Sequence, residues 1–447
     1  MAEKNVNPTY EISKTDTRSM LIYSKLRKVI AEMLGHTSQK GLLALGDQTI
    51  VSATSFFTSI IIARNCTKDE LGLYALGMTI VFFLVSIQES IVTTPYTVYS
   101  PRLDAHARSY YNGSTLLHQL ALSLLFIGIV VISAIIAESL GVSPTDLTRV
   151  LWGLTVVIIP VLFREYVRRV KFAQLHMKAV FIFDIAVSVI QVSALLLLAN
   201  AIILSANRAY LAIGAACAIV SVIWLIPFLK ECTFQIKQTI SDFQTNWSFG
   251  KWVIAANVTS LASTQLYLWF INIFHGTADT GILAACQGVI FLSNPFLIGF
   301  KNVLGPKISH VYATGGKINL RQAVIKVSVT IGAVMSIFCL FLVLFGEICV
   351  VMLYGRQYAG YGNIISVLAL STFIYSITLP IAFGLWALER SDLNFRIDIL
   401  SLGITMTLGL YFVKLFGSLG VAYSLLISNI ITSFIRYIIF NKFSKYT

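Results

Sequence analysis

A carboxylate lies inside the first apolar stretch of the chain, where an ionised side chain is costly. Asp47 belongs to the stretch 42–63, whose twenty-two residues are long enough to cross the roughly 30 Å hydrocarbon core of a bilayer as one helix. A carboxylate at that depth costs about 2.5–3.5 kcal/mol, so it normally faces a bundle interior or a watery cavity. We therefore expect this helix to line a polar site. The alternative is that Asp47 lies near the helix end and reaches water at the headgroups.

Polar residues also interrupt several other apolar stretches. Glu89 lies within VFFLVSIQESIVTTPY, so we expect it to be deeper than Asp47 and to be the best candidate for a buried, titratable carboxylate. A hydrogen bond between helices is the structural alternative for Glu89, and a cap at the membrane interface is the alternative for Asp184. The complete set of cavity candidates is Asp47, Ser52, Gln88, Glu89, Asp184, Gln191, Asn257, Gln265, Gln287, Asn294 and Lys301.

The composition is that of a polytopic membrane protein. Hydrophobic residues make up 57% of the 447 residues and charged residues only 12%, about half the charged share of soluble domains. The six cysteines form no CxxC pair and no two histidines have the spacing of metal ligands, so we expect no metal site, disulfide framework or cofactor. The largest internal loop, residues 230–251, has only Glu231 and Asp242 as acids, so we expect that the chain is not an enzyme.

Twelve apolar segments follow an N-terminal segment in which we expect no signal peptide. If the N-terminus is cytoplasmic, 27 Lys and Arg residues fall on the inner side and six on the outer side, as the positive-inside rule requires. This distribution predicts that both termini are cytoplasmic, and it accounts for the net charge of +13 without a nucleic-acid partner. The segments are 42–63, 73–95, 116–137, 147–163, 179–204, 209–229, 252–274, 281–304, 324–346, 363–387, 395–413 and 418–440.

The two halves of the chain resemble each other weakly. The aligned pairs include Asp47 with Asn257, Leu71–Ala75 with Thr280–Ala284, and Asp184 with Asp398. Six helices per half preserve the orientation, so we predict an all-α protein of two six-helix bundles related by an axis along the membrane normal. The predicted parts are a cytoplasmic segment with an amphipathic helix (1–40), an N-terminal bundle (41–230), a cytoplasmic linker (231–251) and a C-terminal bundle (252–447).

Four segments resemble a known family in their order and in their spacing against the apolar stretches. They are similar to segments of polysaccharide flippases of the O-antigen or exopolysaccharide (Wzx) type in the multidrug/oligosaccharidyl-lipid/polysaccharide (MOP) exporter superfamily. The chain departs from the fourteen-span members, which include the peptidoglycan-precursor flippases, because it ends after span twelve. The segments are Ala63–Leu76, Arg168–Ala173, Leu353–Gly360 and Phe416–Ala422.

That resemblance implies a fold and a function. The fold would be MATE-like, and the substrate would be a lipid-linked oligosaccharide, moved from the cytoplasmic to the outer leaflet of a bacterial inner membrane by alternating access. The product would serve the synthesis of cell-surface lipopolysaccharide or exopolysaccharide. The family implies a polysaccharide polymerase and a chain-length regulator as partners, besides the membrane lipids.

A polyprenyl pyrophosphate requires cations or helix N-termini in a partly dry cavity. Arg168, Arg169 and Lys171 are candidates for recruiting it at the cytoplasmic mouth, with the alternative that they are positive-inside anchors. Lys301 is a candidate for pairing with pyrophosphate, with the alternative that it extends to the headgroups. Coupling to H⁺ or Na⁺ would pass through Asp47 or Glu89.

Two other functions stay open at this point. A cation-coupled multidrug exporter of the same fold would use the same carboxylates, and it predicts a cavity rich in acids and aromatics. A membrane glycosyltransferase or polysaccharide polymerase is disfavoured, because such enzymes usually present a long loop outside the membrane with paired carboxylates or Arg-rich motifs.

Overall fold

The computed structural model describes residues 36–139 and 145–445, and this part of the chain is nearly all helical. The predicted amphipathic helix of the N-terminal segment lies outside the described residues. In the first half, a π-helical turn (Glu89–Thr93) and a 3₁₀ turn (Ser100–Arg102) flank α3. The helices are α1 (His36–Asn65), α2 (Lys68–Gln88), α3 (Thr94–Tyr99), α4 (Ala105–Ser139), α5 (Thr145–Ala173), α6 (Met177–Asn200) and α7 (Ala206–Leu229).

The second half contains fewer and longer helices. Short 3₁₀ turns, Phe291–Ser293 and Arg356–Tyr358, precede α9 and α10, and a π-helical turn, Thr405–Gly409, joins α11 to α12. The predicted linker 231–251 is helical from Ile236 onward. The helices are α8 (Ile236–Ile290), α9 (Asn294–Tyr354), α10 (Gly362–Ala387), α11 (Ser391–Ile404) and α12 (Leu410–Lys445).

Nine helical runs among the described residues are long and apolar enough to cross a membrane. Three of these runs contain a glycine in the left-handed region, Gly276 with φ 86°, Gly316 with φ 65° and Gly417 with φ 55°, and those at 276 and 417 separate two long apolar segments. Such φ values are strained for residues that carry a Cβ, so the chain changes direction at these points. Among the described residues, dividing the two runs at Gly276 and Gly417 gives eleven segments, and α1, which packs along α6, lies at the position of the first predicted segment.

The segments pack as two bundles. In the first half, α5 packs against α4 and α7, and α1 packs against α6. In the second half, α10 packs against α9 and α12, and α8 packs against α11 and α12. Each bundle has an apolar core of its own, and a third core joins them. The prediction of a polytopic all-α protein built from two helix bundles is confirmed.

The bundles meet where α2 crosses α8. A Cβ on Gly72 would lie 1.9 Å from the carbonyl oxygen of Thr277, and a Cβ on Gly281 would lie 2.0 Å from that of Lys68. Gly72 and Gly281 are equivalent in the predicted repeat, and Lys68 and Thr277 have the same separation along the chain. Equivalent residues contact each other reciprocally only beside a two-fold axis. The close contact therefore marks the axis that relates the two bundles.

Candidate functional site: a charge cluster and a polar cavity

The N-terminal bundle holds five charged side chains in one group, named here the charge cluster. Three come from α5, where Arg164 and Arg168 are one helical turn apart and therefore share a face. The fourth comes from α1 and the fifth from α6. The members are Asp47, Arg164, Glu165, Arg168 and Asp184.

Arg168 is the centre of the cluster. Its Nη2 lies 2.8 Å from Oδ2 of Asp47, and its Nε lies 2.5 Å from Oδ2 of Asp184. Its Nη1 lies 3.2 Å from Oε2 of Glu165. Arg164 completes the ring of ion pairs, at 2.6 Å from Asp184 and 2.9 Å from Glu165. A guanidinium is suited to this role, because its planar fork binds several carboxylates at once.

The cluster is buried and its charges do not balance. Asp184 is 0% and Asp47 1% exposed. Buried ions cost several kcal/mol each, by order of magnitude, unless they are paired and hydrogen-bonded. Three carboxylates face two guanidiniums, which leaves one negative charge in excess when all five are ionised. Oδ1 of Asp47 is buried and has no hydrogen-bond partner in the described part of the chain. Asp47 therefore carries a carboxylate oxygen of this cluster that no described residue binds.

A second ion pair lies beside the cluster. Arg169 pairs with Glu89, which begins the π-helical turn after α2. Their side chains are 46% and 32% exposed. Lys171 follows on another face of α5, with its Nζ 5.1 Å from the ring centroid of Trp224. Arg169 and Lys171 are thus more accessible than Arg168, which is 8% exposed.

The C-terminal bundle contains a cavity of about 370 Å³, named here the C-bundle cavity. Helices α8 to α12 all contribute to its wall, which is rich in hydroxyl and carboxamide groups. Its charged wall residues are Asp398 and Arg436. The polar residues of the wall are Ser260, Ser263, Thr264, Gln265, Gln287, Ser293, Asn294, Ser371, Thr372, Tyr375, Asp398, Ser401, Ser428, Asn429, Thr432 and Arg436.

The two charged residues of the cavity wall are loosely paired. Nη2 of Arg436 lies 3.6 Å from Oδ1 of Asp398, whose side chain is 37% exposed. Nearby, Nζ of Lys301 lies 5.6 Å from the ring centroid of Tyr375. Arg436 and Asp398 thus line the C-bundle cavity, and Lys301 adds a second cation beside it.

At the predicted outer end of the molecule, the bundles are joined by polar contacts. Nε of Arg64 donates to the carbonyl of Leu353 at 2.8 Å, and Nε2 of Gln357 donates to that of Ala63 at 2.6 Å. Cys66 lies between α1 and α2. Burial raises the pKa of its thiol to about 11, with a smaller effect of the Glu70 carboxylate. The thiol is thus neutral at pH 7. Two of the four segments that carry the family resemblance, Ala63–Leu76 and Leu353–Gly360, meet here.

Several solved structures of transporters are similar to this chain. A structure of the lipid II flippase MurJ in an inward closed conformation gives a TM-score of 0.72 at 15% identity, with 90% of each chain covered. The inward-facing conformation of a multidrug resistance MATE family transporter gives 0.70 at 10% identity, with 90% of this chain and 94% of that chain covered. The fold is MATE-like.

A MOP superfamily transporter from Pyrococcus furiosus is also similar, with a TM-score of 0.62 at 11% identity over 91% of this chain and 95% of that chain. No protein-family model matches the sequence, and no curated protein is significantly similar to it. The neighbours are thus members of the superfamily that the four segments resemble. They are transporters and a flippase. At these low identities, the structural similarity supports the fold alone.

Within the MATE-like fold, the structure brings together some of the predicted site residues. Asp47 and Asp184 meet in the charge cluster, whereas Gln265, Gln287 and Asn294 line the C-bundle cavity. Lys301 lies beside that cavity, over the ring of Tyr375, which lines it.

Four other candidates have partners elsewhere. Gln88 donates to the carbonyl of Leu162 and Gln191 to the hydroxyl of Thr58, both at 2.9 Å. Ser52 accepts a bond from Gln48 at 3.4 Å. Asn257 donates to Ser90 at 3.2 Å, which links the bundles. Each of the four side chains therefore has a structural contact inside or between the bundles.

The expectation that Glu89 is more buried than Asp47 is wrong, and burial also bears on the alternatives for Asp184 and Arg168. Glu89 is more exposed than Asp47, because the π-helical turn presents it to Arg169 and not to the bundle interior. Asp184 is not an interfacial cap, since it lies wholly buried in the second turn of α6. Arg168 is not exposed at a mouth, because its guanidinium binds three carboxylates. The headgroup alternative for Asp47 fails for the same reason.

Three site residues, Arg164, Glu165 and Arg436, were not predicted from the sequence. Arg164 and Arg436 entered the charge count only as positive-inside residues. Arg164 and Arg168 are four residues apart and therefore lie on one face of α5. With Asp184 in the following helix, this spacing was a signal for a shared partner. The wall residues of α12 carried a comparable signal, since Ser428, Thr432 and Arg436 recur every four residues.

Proposed function

We propose that this chain is a transporter that moves a lipid-linked oligosaccharide across the cytoplasmic membrane by alternating access. The observation that carries the proposal is the chemistry of the C-bundle cavity. Its wall is mostly neutral hydroxyl and carboxamide groups, and its one carboxylate, Asp398, faces Arg436. Such a wall suits sugar hydroxyls, which both donate and accept hydrogen bonds. An organic cation would meet a single carboxylate there, which already lies 3.6 Å from a guanidinium.

Two further observations support this proposal. The lipid II flippase MurJ, a structure of similar fold, is named for a lipid-linked substrate. The contacts of Arg64 and Gln357 close the bundles against each other at the predicted outer end, as one state of an alternating-access cycle requires. In this proposal both termini are cytoplasmic and the bundles rock about the contact of Gly72 with Gly281.

The charge cluster supplies a place for ion coupling in this proposal. Its excess negative charge at Asp47 can be neutralised by H⁺ or Na⁺, and neutralisation would loosen the hold of Arg168 on α1. Because α1 carries residues 59–64, which contact the C-terminal bundle, a change at Asp47 is transmitted along one helix to the outer contacts.

A multidrug exporter is the second candidate function. The observation that favours it is the uncompensated charge of the cluster together with the MATE family neighbours. It predicts that expression of the chain raises resistance to lipophilic cations and that the Asp47→Asn variant does not. The oligosaccharide proposal predicts no such resistance.

The test is leaflet-resolved labelling of undecaprenyl-linked oligosaccharide in cells with and without this protein. We expect lipid-linked repeat units to accumulate on the cytoplasmic side when the protein is absent, and the wild type to restore their transfer. An Asp47→Asn variant expressed at the wild-type level should fail to restore it. Transfer to the outer leaflet in the absence of the protein would contradict the proposal.

A further inference from the structure

Three carboxamides of the C-bundle cavity have no hydrogen-bond partner in the described part of the chain. They belong to Gln265, Gln287 and Asn294, which are half-buried in the cavity wall. The carboxamides of the N-terminal bundle differ, since Gln191, for example, is bound to Thr58 at 2.9 Å. Each free carboxamide offers two donors and one acceptor oxygen. Three of them around one cavity form a site for a ligand with several hydroxyl groups.

Arg436 also has unused donors. Its side chain is 12% exposed, and its Nε is buried without a hydrogen-bond partner among the described residues. The distance of 3.6 Å to Asp398 is longer than a hydrogen bond, in contrast to the 2.5 Å between Arg168 and Asp184. A guanidinium with free donors on the wall of a cavity is suited to a planar oxyanion, which it can bind with two parallel hydrogen bonds.

The charges at this end of the cavity favour an anion. Arg436 and Lys301 supply two positive charges, and Asp398 supplies one negative charge. The volume of about 370 Å³ is near the lower end of the roughly 300–1,000 Å³ of small-molecule sites. It therefore admits a small part of an oligosaccharide and not the whole of it.

We propose that the C-bundle cavity binds one acidic sugar of the substrate. The carboxamides of Gln265, Gln287 and Asn294 bind the ring hydroxyls, and the guanidinium of Arg436 binds the carboxylate of the sugar. This inference rests on the proposed function, because it assigns one cavity to one part of the lipid-linked oligosaccharide. The pyrophosphate link is the other oxyanion of such a substrate, and the experiment separates the two.

The experiment measures the affinity of the purified full-length chain in detergent for three probes by titration calorimetry. The probes are citronellyl pyrophosphate without a sugar, the same lipid linked to glucose, and the same lipid linked to glucuronic acid. The variants are Arg436→Gln and Gln265→Leu. The matched control is Thr407→Leu, which adds the same leucine to the same bundle at an exposed position outside the cavity wall.

We expect the wild type to bind the glucuronic acid probe about tenfold more tightly than the glucose probe, since hydrogen bonds between charged groups are the strong ones. Arg436→Gln should abolish that difference and leave the sugar-free probe unaffected. Gln265→Leu should weaken both sugar probes about fivefold, which is the usual effect of one lost hydrogen bond. Thr407→Leu should change none of the affinities.

Three results would overturn the inference. The preference for glucuronic acid could persist in Arg436→Gln, or that variant could weaken all three probes equally, which would assign the guanidinium to the pyrophosphate. The wild type could also bind the sugar-free probe as tightly as the other two. Failure of the wild type to bind any probe would instead contradict the proposed function. If Arg436→Gln does not fold, the double variant Asp398→Asn with Arg436→Gln removes both charges and replaces it.

Discussion

The two bundles share one fold and use their interiors in opposite ways. The N-terminal bundle fills its polar centre with five charged side chains that bind each other, and Asp184 within it is fully buried. The C-terminal bundle leaves a cavity of about 370 Å³, and three carboxamides of its wall, those of Gln265, Gln287 and Asn294, have no hydrogen-bond partner among the described residues. A satisfied network is rigid and specific, whereas free donors and acceptors are available to a ligand. The comparison therefore contrasts a bundle whose charged groups bind each other with a bundle that leaves carboxamides free on a cavity wall.

Residues that are equivalent in the repeat show how the difference arises. Asp184 and Asp398 are aligned, but Asp184 binds two arginines of α5, whereas Asp398 faces only Arg436 of α12 at 3.6 Å. Asp47 is aligned with Asn257, which donates to Ser90 across the bundle interface. The aligned positions therefore have different partners: an ion-pair cluster in the N-terminal bundle, and an interface hydrogen bond and a loosely paired carboxylate in the C-terminal bundle.

The largest difference in stability between the bundles should be seen when Arg168 and Arg436 are each replaced. Arg168→Gln leaves Asp47 and Asp184 without their shared partner, and breaking a buried ion pair costs about 3–5 kcal/mol. We expect a large fall in the thermal unfolding midpoint of the purified protein. Arg436→Gln is the matched variant and should cost clearly less, because Asp398 is partly exposed. Equal losses from the two variants would remove the distinction between cluster and cavity.

The next largest effect on stability is expected at the contact between Gly72 and Gly281, where the two bundles are related by the two-fold axis. Gly72→Ala and Gly281→Ala each place a Cβ about 2 Å from a carbonyl oxygen of the other bundle, and such overpacking costs about 1–3 kcal/mol. We expect both substitutions to destabilise the protein by similar amounts, measured by thermal unfolding. Gly128→Ala is the control, since no atom lies within 4 Å of its Cβ position. A large effect of only one of the two glycines would argue against a two-fold axis here.

Neutralising Asp47 should have a small effect on stability and a large effect on transport. Asp47→Asn removes the excess charge and leaves Arg168 with Asp184 and Glu165, so we expect a change of about 1 kcal/mol or less in unfolding free energy. The converse substitution at the aligned position, Asn257→Asp, adds a carboxylate without a cation and should destabilise more. Normal oligosaccharide transfer by Asp47→Asn would show that the cluster is only structural.

Filling the cavity should have the smallest effect on stability. Thr264→Leu directs a larger side chain into the C-bundle cavity from an exposed position, so we expect the unfolding free energy to change by about 0.5 kcal/mol or less, with a loss of probe binding. In the N-terminal bundle, Gly77→Ala adds a single methyl group 2.5 Å from the Tyr210 hydroxyl and should destabilise more. If Thr264→Leu destabilises the protein as much as Gly77→Ala does, the cavity of the C-terminal bundle is not open.

Much of the fold follows from the sequence, because the cost of exposing backbone and charge to lipid forces twelve apolar helices. The repeat alignment of Leu71–Ala75 with Thr280–Ala284 predicted which residues are equivalent, and Gly72 does contact Gly281. The long helical runs hide two of the twelve segments, but the glycines at 276 and 417 mark their ends.

The site follows from the sequence only in part. Asp47 was predicted to face a polar interior, since a carboxylate in an apolar segment has few other places, and it does. Glu89 was judged from its apolar neighbours in sequence, and these do not say which face of a helix points inward. A π-helical turn, which no residue pattern announced, sets the direction of its side chain toward Arg169.

The order of the residues is enough to predict a protein that crosses the membrane many times, with two similar halves and a few costly charges that must find partners inside. Which partners these are depends on how the helices pack. Arg168 and Asp47 are separated by 121 residues, and the C-bundle cavity takes its wall from five helices. The physical reason is that the free energy of moving a residue from water into lipid depends on that residue alone. An ion pair or a cavity depends on how whole helices are placed against each other.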